Sequence, residues 1–90
     1  MRTLLISYDV DRSQQRHRRL IDALRREPHC WHYLDNTWLV RTSMPAAEMR
    51  DRLGRFVDGS DELLVLDVTG VDHAHQGFST KAGRWLDDHI

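Results

Sequence analysis

The chain has 90 residues, of which 40% are hydrophobic and 30% charged, and its formal net charge at pH 7 is −1. This composition is typical of one globular domain over residues 1–90 and excludes an intrinsically disordered tail. No apolar run approaches the roughly 18 residues that span a bilayer, and the first residues are too few for a signal peptide, so the sequence predicts a cytoplasmic protein. The single cysteine, Cys30, cannot form an internal disulfide.

The first predicted strand ends on an acid. It covers residues 3–9, with the sequence Thr-Leu-Leu-Ile-Ser-Tyr-Asp. A carboxylate at the end of an apolar strand is costly unless it meets a cation, a proton or a hydrogen-bond donor. Asp9 is therefore the best candidate for a chemical site. The alternative is that Asp9 caps the following turn together with Asp11 and Ser13.

A basic amphipathic helix is predicted next, over residues 14–26. Ser13 is its predicted N-cap, and Pro28 prevents its continuation. Six arginines and one acid between Arg12 and Arg26 give this stretch a formal charge of +5, and the rest of the chain sums to −6. Such a run is either a solvated helix surface or a phosphate-binding surface, since arginine binds phosphate through paired hydrogen bonds.

The remaining pattern predicts a hairpin, a second helix, a fourth strand and a terminal helix. Their predicted ranges are 30–34 and 37–42 for the hairpin, 46–57 for the helix, 62–69 for the strand and 81–90 for the last helix, after a loop over 70–80. The order β-α-β-β-α-β is that of a ferredoxin-like α+β fold. In that fold a four-stranded antiparallel sheet carries two helices on one face, here within a core of about residues 3–69.

The predicted strands carry apolar residues on both of their faces. In the first strand, for example, Leu4 and Ile6 alternate with Leu5, so neither side is purely polar. Because two helices cover only one face, a homodimer that packs sheet against sheet would cover the surplus. Alternatively, the C-terminal segment folds back over its own sheet. In the dimer, two copies of Asp9 would meet near the twofold axis and share a proton or bind Mg²⁺.

Two sets of residues resemble known families. The strand end Ile6-Ser7-Tyr8-Asp9, on a β-α-β-β-α-β chain of this length, resembles CRISPR-associated protein 2 and its VapD-type relatives. The segments Trp-His-Tyr-Leu-Asp-Asn-Thr-Trp-Leu-Val at 31–40 and Asp-Glu-Leu-Leu-Val at 61–65 are similar to small bacterial and phage proteins called SinR-like. This second similarity covers about residues 3–69.

The resemblance to CRISPR-associated protein 2 implies a homodimer that binds nucleic acid. Some members of that family cut RNA or DNA with Mg²⁺ through the aspartate that matches Asp9, which has Tyr8 beside it. Arginines in the first helix resemble nucleic-acid contacts of that family, and the candidates here are Arg12, Arg16, Arg18 and Arg19. The C-terminal strand that many members exchange across the dimer is not evident in residues 70–90.

Other residue types offer weaker candidate sites. His73 and His75, near Asp72, form a sparse metal-ligand pattern whose alternative is a solvated loop. Cys30 and His32 alternate along a strand, but two ligands do not complete a zinc site. Three hairpin aromatics are more typical of strand packing than of base stacking: Trp31, Tyr33 and Trp38.

Three functions therefore remain open at the level of sequence. The first is a Mg²⁺-dependent endonuclease in which Asp9 holds the metal and the arginines of the first helix neutralise phosphate. The second is a dimeric nucleic-acid-binding adaptor without catalysis. The third is a protein-interaction module of a toxin-antitoxin or phage-defence system.

Overall fold

The computed structural model describes residues 1–90 and contains four strands and three helices. In chain order they are β1 (Arg2–Asp9), α1 (Gln15–Arg25), β2 (Cys30–Leu34), β3 (Thr37–Thr42), α2 (Ala46–Gly54), β4 (Glu62–Asp67) and α3 (Thr80–His89). The strands form one antiparallel sheet in the order β2-β3-β1-β4. This α+β architecture is compatible with a ferredoxin-like fold.

One face of the sheet, here called the first face, packs against α1 and α2. Alternate residues of β1 point to this face, so Leu4 and Ile6 are fully buried and Tyr8 is nearly so. The same buried cluster also contains Val10, which follows β1, and six residues from β3 and the two helices: Leu20, Leu24, Trp38, Val40, Met49 and Leu53. Burial of these apolar groups supplies most of the driving force that holds the helices on the sheet.

The opposite, second face is half covered by α3. Trp31, Leu39 and Leu86 form a separate buried cluster there. The Trp31 indole donates a hydrogen bond from Nε1 to the Ala82 carbonyl oxygen at 3.1 Å, which ties β2 to α3. The C-terminal segment thus folds back over its own sheet, which was one of the two alternatives predicted from the sequence. A sheet-to-sheet dimer could use only the half of this face that α3 leaves uncovered.

The C-terminal end of α3 is also anchored to the sheet. The Thr3 hydroxyl donates to the His89 carbonyl oxygen, and the Arg41 guanidinium donates to the same oxygen at 3.2 Å. Arg41 donates in addition to the Thr3 hydroxyl oxygen at 3.0 Å. Because the last carbonyl groups of a helix have no partner within the helix, these donors stabilise its end.

Several predicted boundaries shift by a few residues for local reasons. The N-cap of α1 is Gln14 and not Ser13, because Ser13 donates from its backbone N–H and its hydroxyl to the Asp11 carboxylate. Asp11, and not Asp9, therefore holds the turn after β1. The regular part of α2 ends at Gly54 and not at residue 57. None of the three helices is long and apolar enough to cross a membrane.

Candidate functional site

Asp9 lies at the exposed end of β1, directly opposite Glu62 of β4. Both side chains belong to the second face, because residues paired across antiparallel strands share a face and the neighbouring pairs are Ser7 with Leu64 and Leu5 with Leu66. Neither carboxylate forms an ion pair with a basic side chain. Two like charges directly opposite each other weaken a strand pair, so Asp9 and Glu62 destabilise the pairing of β1 with β4 at this end of the sheet.

Tyr8 lies on the other side of the strand from Asp9. Its ring is buried on the first face, and its hydroxyl oxygen accepts a hydrogen bond from Trp38 Nε1 at 3.0 Å. Burial raises the pKa of Tyr8, against the lowering effects of the Trp38 hydrogen bond and of the positive charges of Arg12 and Arg25. Tyr8 and Asp9 are therefore neighbours in sequence whose side chains do not meet in one site.

One copy of the chain does not supply a set of ligands for a magnesium ion held by protein. Asp9 and Glu62 offer two carboxylates, but no group of three or more histidine, cysteine, aspartate or glutamate side chains is placed to hold a metal. Mg²⁺ requires six oxygen ligands in octahedral geometry and takes the missing ones from water or substrate. One chain thus offers two carboxylates to the metal that the family resemblance implies, and water or substrate would have to supply the remaining ligands.

Arg16 is occupied by an acidic loop between α2 and β4. Its Nε and Nη2 donate to the two carboxylate oxygens of Asp61 at 2.7 and 3.2 Å, and Nη1 lies 3.4 Å from Asp58 Oδ2. The Asp61 side chain is only 3% exposed. This arrangement raises the pKa of Arg16 and lowers that of Asp61, in both cases chiefly through the hydrogen bonds between them. Arg16 therefore anchors α1 and has few donors left for phosphate.

The other arginines of α1 remain exposed and unpaired. Arg18, Arg19, Arg25 and Arg26 have no carboxylate within the 4.0 Å that defines an ion pair. The basic surface continues onto α2, where a shallow depression is lined by Ala23, Arg26, Arg52, Arg55 and Phe56. Arg18 and Arg19 are among the contacts predicted from the sequence, whereas Arg25 and Arg26, seven residues further along the chain, are not.

A second depression, the hairpin cleft, separates α1 from the β2–β3 hairpin. It is lined by Arg12, His17, Arg18, Ile21, Asp22, Arg25, His32 and Asp35. Arg12 reaches across to the hairpin turn, where Nη2 donates to Asn36 Oδ1 at 3.2 Å and lies 3.7 Å from Asp35 Oδ2. The cleft thus collects three of the exposed arginines around two imidazoles.

The two histidines of the hairpin cleft are held by aromatic contacts. The His32 ring stacks on Trp38 with 3.8 Å between centroids and 9° between planes, and its Nε2 lies 3.2 Å from the Asp35 carbonyl oxygen. His17 contacts the edge of Tyr8 at a centroid distance of 6.2 Å. His17 lies on α1 and His32 on β2, 15 positions apart in the chain. Their proximity to the arginines depends on how the hairpin packs against the helix.

His73 and His75 meet Asp87 of α3. Both Nε2 atoms approach the same oxygen, Oδ1, at 3.4 and 3.0 Å. His73 Nδ1 also lies 3.3 Å from the Val71 carbonyl oxygen, so both of its ring nitrogens face acceptors. The hydrogen bond from His75 is the main reason that the pKa of Asp87 is lowered. These groups hold the loop on α3, and they do not form a metal-binding set.

The remaining candidate groups of the hairpin have structural positions. Trp31 and Trp38 are buried, whereas Tyr33 is 49% exposed beside Trp31. Cys30 is half-buried, and burial raises the pKa of its thiol. A raised thiol pKa reduces the thiolate fraction at neutral pH, so Cys30 is not an activated nucleophile.

Comparison of the chain with models of protein families, with curated proteins and with solved structures found no match.

Proposed function

We propose that this chain binds nucleic acid through the exposed arginines of α1. The observation that carries the proposal is that five of the six arginines between Arg12 and Arg26 lie on the surface, and four of them lack a carboxylate partner. A free guanidinium can donate two parallel hydrogen bonds to a phosphate, whereas one paired with carboxylates must first give up those bonds.

The distribution of charge supports a polyanionic partner. Nine of the thirteen basic residues lie in α1 and α2 or within a few residues of them, whereas the second face presents Asp9 and Glu62. Only four of the fourteen acidic residues lie in these helices or within three residues of them, so the region has a net positive charge. Such a surface attracts the phosphate backbone and orients it before contact is made. The near-zero net charge of the whole chain hides this asymmetry.

Binding to short oligonucleotides at several salt concentrations tests the proposal. We expect affinity to fall linearly with the logarithm of salt concentration, because each neutralised phosphate releases counterions. The double substitution Arg19→Gln/Arg26→Gln should reduce the magnitude of that slope by about 1.5 to 2, roughly one unit for each phosphate that is no longer neutralised. Fluorescence anisotropy of a labelled single-stranded and a double-stranded oligonucleotide provides the measurement.

The matched control removes the same charge from the other side of the molecule. Lys81 and Arg84 are exposed on α3, which covers the second face. Lys81→Gln/Arg84→Gln should leave both the affinity and the salt slope close to those of the wild type. Equal losses of affinity in the two double variants would show that only the net charge of the protein matters. Absence of binding at low salt would instead favour a protein partner in a toxin-antitoxin or phage-defence system.

Hydrolysis of RNA or DNA is a second candidate, carried by the exposed pair Asp9 and Glu62. One chain offers only two carboxylates, and a second copy of the chain would bring its own pair near a twofold axis and so hold the ion more firmly. Exposed leucines on β4 provide a surface for that copy, since Leu64 and Leu66 are 52% and 45% exposed. In this arrangement Asp9 would be the residue on which Mg²⁺-dependent cleavage depends.

A further inference from the structure

We propose that the hairpin cleft binds a phosphomonoester, carried either by the end of a nucleic acid or by a free nucleotide. The inference rests on the proposed function, because Arg18 and Arg25 belong to the same arginine-rich helix, and it names the ligand that the cleft side of that helix takes. The cleft gathers arginines from two parts of the chain into one depression, which suits a compact phosphate group more than an extended backbone.

The three arginines of the cleft come from two parts of the chain. Arg12 enters from the segment after β1, and Arg18 and Arg25 enter from α1, where they lie two turns apart, at about 10 Å along the helix axis. Contacts of Arg12 with Asn36 and Asp35 at the hairpin turn use only its Nη2, so they orient the guanidinium and leave Nε and Nη1 to donate to a ligand. A guanidinium held in place loses less conformational entropy on binding than a free one.

The charge of the cleft favours a terminal phosphate over a backbone phosphate. Its lining carries three arginines and two aspartates, so its formal charge is +1 with neutral imidazoles and +3 when both histidines are protonated. A monoester carries about 1.5 to 2 negative charges near pH 7, whereas each backbone phosphate carries one. The monoester also presents three oxygens, which donors on several sides of a cleft can reach together.

Asp22 gives the proposal a test that a folding defect cannot imitate. It lies between Arg18 and Arg25 in the cleft, is exposed, and forms no ion pair. Asp22→Asn removes a repulsive charge without changing the size of the side chain. We expect it to bind a nucleoside 5′-monophosphate about threefold to tenfold more tightly than the wild type, as expected for removing one unit charge several ångström from the anion.

The matched control is Asp88→Asn. Asp88 is an exposed aspartate on α3, and the substitution changes the net charge by the same amount on the other side of the sheet. Calorimetric titration with adenosine 5′-monophosphate should show tighter binding for Asp22→Asn alone. When the same nucleotide is titrated in an NMR experiment, the imidazole signals of His17 and His32 should shift, while those of His73 and His75 should not. Equal affinities for Asp22→Asn and Asp88→Asn would overturn the proposal.

Oligonucleotides that differ only in the group at one end show whether the phosphate belongs to a nucleic acid or to a free nucleotide. We expect an oligonucleotide with a 5′-phosphate or a 3′-phosphate to bind about threefold to tenfold more tightly than its hydroxyl counterpart, and Arg25→Gln should remove this preference. A preference for the phosphorylated oligonucleotide supports a nucleic-acid end, and binding of the mononucleotide alone supports a free nucleotide.

The two proposals fail in different ways. If all oligonucleotides bind with the expected salt dependence regardless of their ends, and the mononucleotide does not bind, the cleft proposal is wrong and the proposed function stands. If the mononucleotide binds and responds to Asp22→Asn while no oligonucleotide binds, the cleft proposal stands and nucleic acid is not the ligand.

Discussion

At the level of single residues, the presence of a glycine at position 83 within α3 is explained by one contact, with the imidazole of His75. Glycine within a helix costs about 1 kcal/mol relative to alanine, yet Gly83 lies inside α3. A Cβ atom at this position would lie 2.8 Å from His75 Cε1, which is too close for an ordinary contact. The glycine therefore lets His75 pack on α3 and reach Asp87, and this contact fixes the loop that precedes the helix.

A double-mutant cycle tests this explanation. In a His75→Ala background, Gly83→Ala should stabilise the protein by about 1 kcal/mol, because only the helix propensity changes. In the wild type the same substitution must displace the imidazole, and we expect it to be destabilising by about 1 to 2 kcal/mol. Urea unfolding of the four proteins gives the coupling free energy, and additive effects would contradict the packing argument.

At the scale of elements, Arg16 and Asp61 join α1 to the loop before β4. Asp58 shapes this loop by accepting hydrogen bonds from the backbone N–H and the hydroxyl of Ser60. Asp61 accepts from Arg16 and from the Asp58 backbone N–H, so its carboxylate connects the two parts. Because Asp61 is ionised in these bonds, its pKa lies below the usual value of 3.8, and that of Asp58 is also lowered.

The lowered pKa of Asp61 predicts a stability contribution that depends on pH. A carboxyl group with a lower pKa in the folded state stabilises the protein above its ordinary pKa and loses this effect as the pH falls through the folded value. We therefore expect Asp61→Asn to be less stable than the wild type at pH 7 and to lose less stability than the wild type between pH 7 and pH 3. Urea midpoints at the two pH values provide the measurement.

Asp51→Asn serves as the control for this effect. Asp51 is exposed on α2 and contacts only the adjacent Arg50, at 2.8 Å, so it joins no two elements. Its substitution should leave the pH dependence of stability close to that of the wild type. An identical response of the two variants would exclude the Arg16–Asp61 pair as the source.

At the level of the whole molecule, the uncovered half of the second face is the surface on which the oligomeric state, monomer or dimer, depends. α3 covers the cluster around Trp31 and Leu39, and it leaves Leu64 and Leu66 on β4 exposed. β4 is also an edge strand, whose outer backbone groups have no partner in the sheet. A second copy related by a twofold axis would cover both the leucines and the edge.

Light scattering and a cleavage assay test this arrangement together. We expect the wild type to have twice the 10.6 kDa mass of one chain, and Leu64→Lys/Leu66→Lys to be a monomer. Val71→Lys, which changes an equally exposed loop residue, should leave the mass unchanged. In the dimer, Asp9→Asn should abolish any cleavage that Mg²⁺ supports. A monomeric wild type, or full cleavage by the Asp9→Asn protein, would exclude the shared acidic site.

The predicted elements and their order agree with the structure because their signals are local. Residues a few positions apart decide whether a segment alternates with the period of a strand or of a helix, and Pro28 marks the end of α1 by its own chemistry. The extent of the arginine-rich helix was readable for the same reason. Where boundaries were wrong, as at Ser13, a side chain bonded to a nearby backbone group in a way that periodicity does not report.

An α+β chain with a basic first helix and an acid at the end of its first strand can be read from the residues alone. The folded chain adds that Arg16 is held by a loop 45 residues away, that His32 joins Arg12 and Arg25 in a cleft, and that α3 covers part of the second face. These features depend on contacts between residues far apart in the chain. Such contacts follow from how faces pack together, and neither composition nor spacing specifies them.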